Sequence, residues 1–354
     1  MTMDLSKFRR PELIKKIVDD LHNFDQPVKF MEVCGSHTMA IGHWGIRKLL
    51  PKNIQLISGP GCPVCVTPST VIDELIKLKD VTIATFGDLI RVPGSTGTLE
   101  QARAEGADIR IIYSPLEALE MAKEKETVLV GIGFETTIPG IAFTIQKAAR
   151  DGLDNFSVLP AFKLVPPALD ALLSSGDVEV NGFILPGHVS VIIGADAYDL
   201  LPEKYNIGGV VTGFEPLDIL LGIQKLVNQI KEKKPKIENE YGRVVTSAGN
   251  KNAIKVVDNV LQIEDAIFRG LGMIPNSGLG IRSEFAKYDA IKKYNMEITD
   301  TEKNTGCRCA DVLKGLIVPP ECALFEKTCQ PNNPIGPCMV SSEGSCAAYY
   351  KYER

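Results

Sequence analysis

Apolar residues in the first two thirds of the chain fall into short runs rich in β-branched side chains. Such runs are typical of strands buried on both faces of a parallel sheet. Amphipathic stretches with helix-start signals lie between most of them, and successive runs begin about 26 residues apart, as in repeated βα units. The predicted strands cover residues 28–33, 54–57, 81–85, 109–113, 128–132, 156–159, 182–185 and 209–212.

The spacing predicts an α/β fold, but it leaves open whether the units close into one barrel or split into two open sheets. A helix is predicted from Pro11 to about Phe24, before the first strand. After Leu220 the pattern becomes helical, and from Asn276 onward Gly, Pro and Cys are frequent. This tail is typical of a small domain held together by a metal.

Length and composition narrow the possible functions. With 354 residues and 44% hydrophobic content, the chain can form two or three domains. The net charge of −5, without a basic run interleaved with aromatics, argues against a nucleic-acid partner. Because the start is polar and no apolar run reaches about 18 residues, we expect a cytoplasmic protein with no membrane partner.

The nine cysteines form two groups along the chain. Cytosolic thiols are normally reduced, so this number indicates metal or redox chemistry instead of structural disulfides. Cys34, Cys62 and Cys65 lie in the first fifth of the chain. The other group lies in the last fifty residues and comprises Cys307, Cys309, Cys322, Cys329, Cys338 and Cys346. We therefore expect two separate sites.

The first two predicted strands each run directly into cysteines. Cys34 follows the first strand at a helix start, where free N–H groups favour a thiolate, and His37 comes three residues later. The same residues could equally be a buried thiol and a capping histidine. Cys62 and Cys65 form a C-x-x-C motif between a strand and a helix. Zinc needs four protein ligands and too few lie nearby, so we favour a redox dithiol over half of a zinc site.

Further polar residues follow other predicted strands: Asp88, Glu135, Thr136 and His188. Each could cap a helix. Because the carboxyl ends of parallel strands share one edge, however, we expect these side chains to converge with the cysteines. That convergence is harder to explain by capping alone.

The cysteines of the tail indicate an iron–sulfur cluster. No C-x-x-C pair typical of zinc occurs among them, whereas a four-iron cluster accepts four thiolates at irregular spacing. We therefore favour the cluster over zinc or disulfides. The spacing alone does not identify the four ligands.

Several longer stretches resemble the motifs of the HypD hydrogenase maturation family. They cover nearly the full length and are specific in combination. The stretches are Phe30 to Ile41 (FMEVCGSHTMAI), Gly59 to Pro68 (GPGCPVCVTP), Gly133 to Thr137 (GFETT), Pro186 to Ser190 (PGHVS), Ile274 to Arg282 (IPNSGLGIR) and Gly336 to Cys346 (GPCMVSSEGSC).

The resemblance implies two similar α/β domains with doubly wound parallel sheets, which favours split sheets over a barrel. It also implies a third, smaller and mostly helical iron–sulfur domain built from both chain ends. The predicted ranges are residues 28–125, residues 126–230, and residues 1–27 with 231–354.

The resemblance also implies a role in building the Fe(CN)2(CO) part of the nickel–iron hydrogenase active site. The implied partners are the small chaperone HypC and the cyano donor HypE, with HypF upstream, and indirectly the hydrogenase large subunit. Cys34 matches the iron-binding cysteine, with His37 beside it, and Cys62 and Cys65 match the redox pair. The family spacing C-x14-C-x6-C-x16-C places one 4Fe-4S cluster on Cys307, Cys322, Cys329 and Cys346.

Our hypothesis from the sequence is a redox-active assembly scaffold rather than a conventional turnover enzyme. The iron fragment would be bound by Cys34 and a chaperone thiolate between the two α/β domains, and electrons would pass from the cluster through the Cys62/Cys65 pair. The strand-end residues Asp88, Glu135, Thr136 and His188 would donate hydrogen bonds or protons. The alternatives are a cluster-dependent thiol–disulfide reductase acting on a partner protein, and an inert scaffold.

Overall fold

The computed structural model describes residues 6–301 and 305–354. Within these residues the chain forms an α/β fold with two open parallel sheets and one antiparallel hairpin. The α/β prediction is confirmed, and the two open sheets exclude the single barrel. Each of the eight predicted strands is present, with ends shifted by at most a few residues.

The strands of the described residues are labelled in chain order. They are β1 (Val28–Glu32), β2 (Ile54–Ser58), β3 (Thr82–Thr85), β4 (Ile109–Ile111), β5 (Thr127–Gly133), β6 (Phe156–Phe162), β7 (Gly182–Pro186), β8 (Gly208–Thr212), β9 (Ile237–Asn239), β10 (Leu261–Phe268) and β11 (Gly272–Ile281).

The α-helices are labelled in the same way. They are α1 (Pro11–His22), α2 (Gly35–His43), α3 (Ile46–Leu49), α4 (Thr70–Lys77), α5 (Leu99–Ala104), α6 (Glu117–Ala122), α7 (Ile138–Asp151), α8 (Val165–Ser174), α9 (Gly187–Ile193), α10 (Leu200–Tyr205), α11 (Pro216–Glu232), α12 (Lys251–Val260), α13 (Ala290–Lys293), α14 (Cys309–Leu313), α15 (Pro337–Val340) and α16 (Ser345–Tyr352). Short 3₁₀ helices cover Ser6–Arg9, Gly87–Leu89, Asp196–Tyr198, Ser283–Tyr288 and Pro319–Glu321.

The two parallel sheets do not follow the predicted domain ranges. The first sheet has the order β2-β1-β7-β8-β9 and the second has the order β4-β3-β5-β6. The chain leaves the first sheet after β2, builds the second, and returns at β7, where Gly182 pairs with Phe30. The predicted boundary between residues 125 and 126 therefore lies inside the second sheet, because β3 pairs with β5. Strand spacing along the chain carries no information about which strands pair.

Three strands after residue 220 were not predicted. β9 joins the first sheet beside β8, and β10 and β11 form an antiparallel hairpin. The middle of β10 is exposed to solvent, so it lacks the continuous apolar run that identified the other strands. The helical pattern predicted after Leu220 is therefore wrong for β10 and for the part of β11 that precedes Asn276. A separate iron–sulfur domain stays a prediction.

One hydrophobic core joins the two parallel sheets. It contains Met31 and Ile57 from the first sheet and Ile83 and Val130 from the second, all at most 7% exposed. Burying each such side chain contributes about 1.5–3 kcal/mol. The shared core therefore holds the strand ends of one sheet in a fixed position relative to those of the other.

Helices near both chain ends pack on the first sheet's helices. Helix α1 packs against α11, and α16 packs against α2. Arg47 forms an ion pair with Glu353 and lies 4.7 Å from the ring centre of Tyr349, which fastens α16 in place. In the part of the chain that the structure describes, no helix is both long and apolar enough to cross a membrane.

Gly61 marks the closest backbone approach between the loops after β1 and β2. Its carbonyl accepts a 3.0 Å hydrogen bond from the N–H of Gly35. A Cβ atom at residue 61 would collide with the backbone nitrogen and Cα of Cys34. Only glycine therefore allows these two loops to touch.

We expect Gly61→Ala to lower the free energy of unfolding by at least about 1–3 kcal/mol, because the collision is with backbone that cannot rotate away. Gly242→Ala is the control, since a Cβ there meets nothing within 4 Å. Urea unfolding of both variants measures the difference. Equal stability of the two variants would contradict the close packing.

Candidate functional site

The candidate site lies at a topological switch point of each sheet. Chain order reverses between β1 and β7 in the first sheet and between β3 and β5 in the second. Ligands of open α/β sheets bind in the crevice outside the carboxyl ends of strands at such points. The residues that follow these strands include Cys34, Asp88, Glu135 and His188.

A cavity of about 120 Å³ lies where the strand ends of the two sheets meet. It brings together the predicted residues Cys34, Thr136 and His188, and adds Glu343 from the tail. Gly61 and Pro63, which flank Cys62, also line it. The predicted convergence at one edge is therefore observed for these residues.

Cys34 is buried in this cavity, with 7% of its surface exposed. Burial, together with a smaller effect of the nearby Glu343 carboxylate, raises the pKa of its thiol to about 12. The N–H groups of His37 and Ser36 lower the pKa, but by less. The helix start therefore does not make Cys34 a thiolate by itself, contrary to the sequence-based interpretation.

Glu32, two residues before Cys34, is a fully buried carboxyl group that the sequence analysis did not single out. It accepts hydrogen bonds from the Cys34 N–H at 3.3 Å and from the Thr38 hydroxyl at 2.6 Å. Burial raises its pKa to about 7. Glu32 therefore holds the backbone of Cys34 in place.

His37 is fully buried and neutral, because burial lowers its pKa to about 4. Its Nε2 lies 3.0 Å from the Gly213 carbonyl and 2.8 Å from the Thr212 hydroxyl oxygen. A carbonyl oxygen can only accept, so Nε2 carries the proton. The lone pair of Nδ1 has no hydrogen-bond partner among the described residues.

Phe214 connects the two histidines of the site. Its ring centre lies 4.6 Å from that of His37 and 4.1 Å from that of His188, on which it stacks. Partial burial lowers the pKa of His188, which favours its neutral form. Phe214 thus fixes the His188 ring at the wall of the cavity.

Cys62 and Cys65 form a disulfide directly behind the cavity wall. Their Cα atoms are 5.2 Å apart, and the residues are 3% and 0% exposed. The Cys65 N–H donates a 3.1 Å hydrogen bond to the Cys62 sulfur. This contact would stabilise Cys62 as the thiolate of the reduced pair.

Glu135 is buried at the end of β5. Its Oε1 accepts a 2.9 Å hydrogen bond from the Val165 N–H, whereas Oε2 has no partner among the described residues. Burial raises its pKa to about 7. Burial raises the pKa of the Tyr198 phenol, and electrostatic interactions with Glu135 and Cys34 raise it too, so these groups share one apolar region.

Asp88 lies outside the cavity lining and instead binds the tail. Its Oδ2 accepts hydrogen bonds from the Ser341 hydroxyl at 3.1 Å, the Ser342 N–H at 3.0 Å and the Ser342 hydroxyl at 2.7 Å. The next residue, Glu343, accepts a 2.7 Å hydrogen bond from Ser36. The segment 341–343 therefore bridges the end of β3 and the start of α2.

The six tail cysteines divide into a pair and a group of four. Cys309 and Cys338 form a disulfide, with Cα atoms 6.4 Å apart. They lie in the same hydrophobic core as Cys62 and Cys65. The free thiols of the tail are Cys307, Cys322, Cys329 and Cys346, the four predicted cluster ligands.

These four thiols are near one another. Burial is the largest cause of the raised pKa of the Cys346 thiol. The other causes are electrostatic interactions with the three other sulfurs, which must therefore lie close to it. Gly336 lacks the side chain that would crowd them, since a Cβ there would lie 2.6 Å from the Cys307 sulfur. Among residues 6–301 and 305–354, no three His, Cys, Asp or Glu side chains form a site for a single ion. The structure thus shows the four thiols as neighbours, and a 4Fe-4S cluster bound by them stays a prediction.

Comparison with known proteins identifies the family. The HypD profile, described as the hydrogenase formation hypA family, matches residues 10–353. The chain is 44% identical to the hydrogenase maturation factor HypD of Azotobacter vinelandii over 92% of this chain and 89% of the relative. It is 40% identical to that of Escherichia coli over 99% and 98%, and 43% identical to HypD2 of Bradyrhizobium diazoefficiens over 93% and 90%. The chain belongs to the HypD family of hydrogenase maturation factors.

The family resemblance seen in the sequence is thus confirmed. The sequence analysis did not single out four residues of this HypD-family site: Glu32, Tyr198, Phe214 and Glu343. Glu32 and Glu343 lie inside motifs that were recognised, but the interpretation of those motifs rested on their cysteines. Phe214 follows a predicted strand directly. Tyr198 lies in a 3₁₀ helix, and no pattern in the sequence marks it.

Glu135→Gln should change the pH dependence of stability. The pKa of Glu135 rises from 4.5 to about 7 on folding, so its stabilising effect is present below pH 4.5 and is lost as the pH rises to about 7. The unfolding free energy of the variant, relative to the parent, should therefore increase by about 3 kcal/mol over this interval.

Urea unfolding at a series of pH values measures this difference. Glu120→Gln is the matched control, because Glu120 is exposed on α6 and pairs with Lys123. If both variants followed the pH profile of the parent, the Glu135 carboxyl would not be desolvated as described.

Proposed function

We propose that the Cys34 cavity is the place where the Fe(CN)2(CO) fragment of nickel–iron hydrogenase is held during assembly. The partners would be the chaperone HypC and the cyano donor HypE. One observation carries the proposal: a buried thiol lies beside two carboxyl groups, and among the described residues lining the cavity none is lysine or arginine.

The charge balance of the cavity favours a bound cation. Burial raises the pKa values of Cys34, Glu32 and Glu343 and lowers that of His37, so each group tends toward its neutral form. A cation would supply the missing positive charge and allow the thiol and carboxyl groups to ionise. Binding of ferrous iron by Cys34 would form an Fe–S bond and release the thiol proton.

Cys34 supplies a soft sulfur ligand, which suits low-spin iron with cyanide and carbon monoxide. A second thiolate would come from the chaperone. His188, Thr136 and Glu343 line the same cavity and are positioned to donate or accept hydrogen bonds around the fragment. The stacking of His188 on Phe214 restricts its ring for this task.

The Cys62/Cys65 pair is the proposed electron store of the site. Oxidation of the reduced pair to the disulfide releases two electrons and two protons. Its position behind Gly61 and Pro63 brings it next to the cavity without exposing it to solvent.

The four free thiols of the tail would hold one 4Fe-4S cluster, which supplies electrons one at a time when bound. Cys322 and Cys329 are buried, and Cys307 and Cys346 are half-buried. The Cys329 sulfur accepts a 3.4 Å hydrogen bond from the Ile335 N–H. This contact would stabilise the thiolate that ligation requires.

The alternative, a thiol–disulfide reductase acting on a partner protein, is less well supported. Such an enzyme needs an accessible sulfur for the mixed disulfide. The Cys62/Cys65 sulfurs lie in residues that are 3% and 0% exposed, so a protein disulfide cannot reach them in this conformation.

Cys34→Ala tests the proposal. The variant, purified anaerobically with its small chaperone, should lose the second, non-cluster iron and its CN and CO infrared bands, because the sulfur ligand is gone. Val189→Ala is the control, since Val189 lines the same cavity without supplying a ligand. Full iron content and unchanged infrared bands in Cys34→Ala would overturn the proposal.

Cys329→Ser should remove the tail cluster, with loss of its absorbance and Mössbauer signals and of about four iron atoms per chain. The double variant Cys309→Ser/Cys338→Ser should keep the cluster, because this pair forms a disulfide apart from the four free thiols. The reverse result would assign the cluster to other ligands.

A further inference from the structure

Lys163 is a buried cation that forms no ion pair with the residues that the structure describes. It follows β6 and is 4% exposed. Its Nζ makes one marginal hydrogen bond of 3.5 Å, donated to the Phe162 carbonyl, and lies 5.5 Å from the ring centre of Phe268. Burial lowers the pKa of its ammonium group to about 8, and no carboxylate of residues 6–301 or 305–354 offsets that effect. An uncompensated buried charge costs several kcal/mol.

Lys163 lines a cavity of about 270 Å³ between β6, the β10–β11 hairpin and α13. This cavity is separate from the one that contains Cys34, and the two share no lining residue. Its walls combine apolar residues, among them Val71, Leu159, Ile267 and Ile298, with charged ones. The volume is slightly below the range of about 300–1,000 Å³ that is typical of pockets for drug-sized ligands. The cavity therefore suits a molecule smaller than these ligands.

The acidic residues around the cavity are engaged elsewhere. Asp289 pairs with Lys292 at 3.0 Å and caps α13. Asp265 accepts a 2.9 Å hydrogen bond from the Asn276 N–H, and Glu264 accepts one of 3.0 Å from Gln262. These groups therefore leave Lys163 without an ion-pair partner among the described residues, and their repulsion grows with the negative charge of a ligand, so a single charge is favoured over two or more.

We propose that this cavity binds a small monocarboxylate with a short apolar tail, whose carboxylate pairs with Lys163. A single negative charge balances the ammonium group, and the tail packs on the apolar walls. The chemistry of the walls excludes a fully hydrated anion such as phosphate, because its second charge would face Glu264 and Asp265.

The position of the cavity connects such a ligand to the thiol chemistry. Pro68 and Val71, just after the Cys62/Cys65 pair, form part of its wall. The Arg269 N–H, at the end of β10, donates a 2.7 Å hydrogen bond to the Val66 carbonyl. A bound carboxylate would therefore contact the segment that carries the redox pair.

Isothermal titration calorimetry of the full chain, purified anaerobically, tests the proposal with butyrate, 1-butanol and inorganic phosphate. Butyrate should bind saturably and at least about tenfold more tightly than 1-butanol, because the alcohol lacks the charge. Above the Lys163 pKa of about 8, affinity should fall with rising pH as the amine loses its proton. Absence of saturable butyrate binding, or tighter binding of phosphate, would overturn the proposal.

Lys163→Met keeps the length of the side chain and removes its charge, so it should abolish the preference of butyrate over 1-butanol. Lys292→Met is the control, since Lys292 lines the same cavity but pairs with Asp289. If Lys163→Met does not fold, Met273→Trp at the exposed wall should narrow the cavity and weaken butyrate binding with Lys163 intact. Unchanged affinity in the folded variant would refute the site. The readout needs no bound iron, so its failure leaves the proposed function of Cys34 unaffected.

Discussion

The bridge made by residues 341–343 is the contact on which the arrangement of the candidate site depends. These residues lie between Cys338 of the tail disulfide and Cys346 of the four free thiols. Their hydrogen bonds to Asp88 and Ser36 hold the tail against the ends of β3 and β1. The same segment places Glu343 in the wall of the Cys34 cavity. The tail cysteines and Cys34 therefore belong to one connected structure.

Desolvation then sets the chemical state of that cavity. Removing the Cys34 thiol and the carboxyl groups of Glu32 and Glu343 from water raises their pKa values and favours their protonated forms, although the charge of Arg47 partly offsets this effect at Glu32. The buried His37 is neutral for the same reason. In the absence of a metal, the cavity is therefore close to electrically neutral and poised to exchange protons for a cation. Under the proposed function, this exchange would let a buried cysteine with a high pKa act as a metal ligand.

The Lys163 cavity shows the opposite imbalance. There a buried ammonium group forms no ion pair with the described residues, whereas the described lining of the Cys34 cavity contains a thiol and a carboxyl group but no lysine or arginine. Both imbalances cost stability in the folded chain. Under the two proposals, a metal at Cys34 and a carboxylate at Lys163 would each relieve one of them. The segment from Cys62 to Val71 lies between the two cavities and touches both.

The sequence by itself determined the α/β class, the eight first strands, and the grouping of cysteines, because apolar runs and residue spacing are local properties of the chain. It also placed Cys34, Thr136 and His188 at strand ends. Only the tertiary structure decided strand order, which joins β1 to β7 and divides the sheets differently from the predicted ranges. It also paired Cys309 with Cys338 and brought Glu343 to Cys34. These contacts join residues far apart in the chain, and burial, which sets the pKa of Cys34, depends on all of them together.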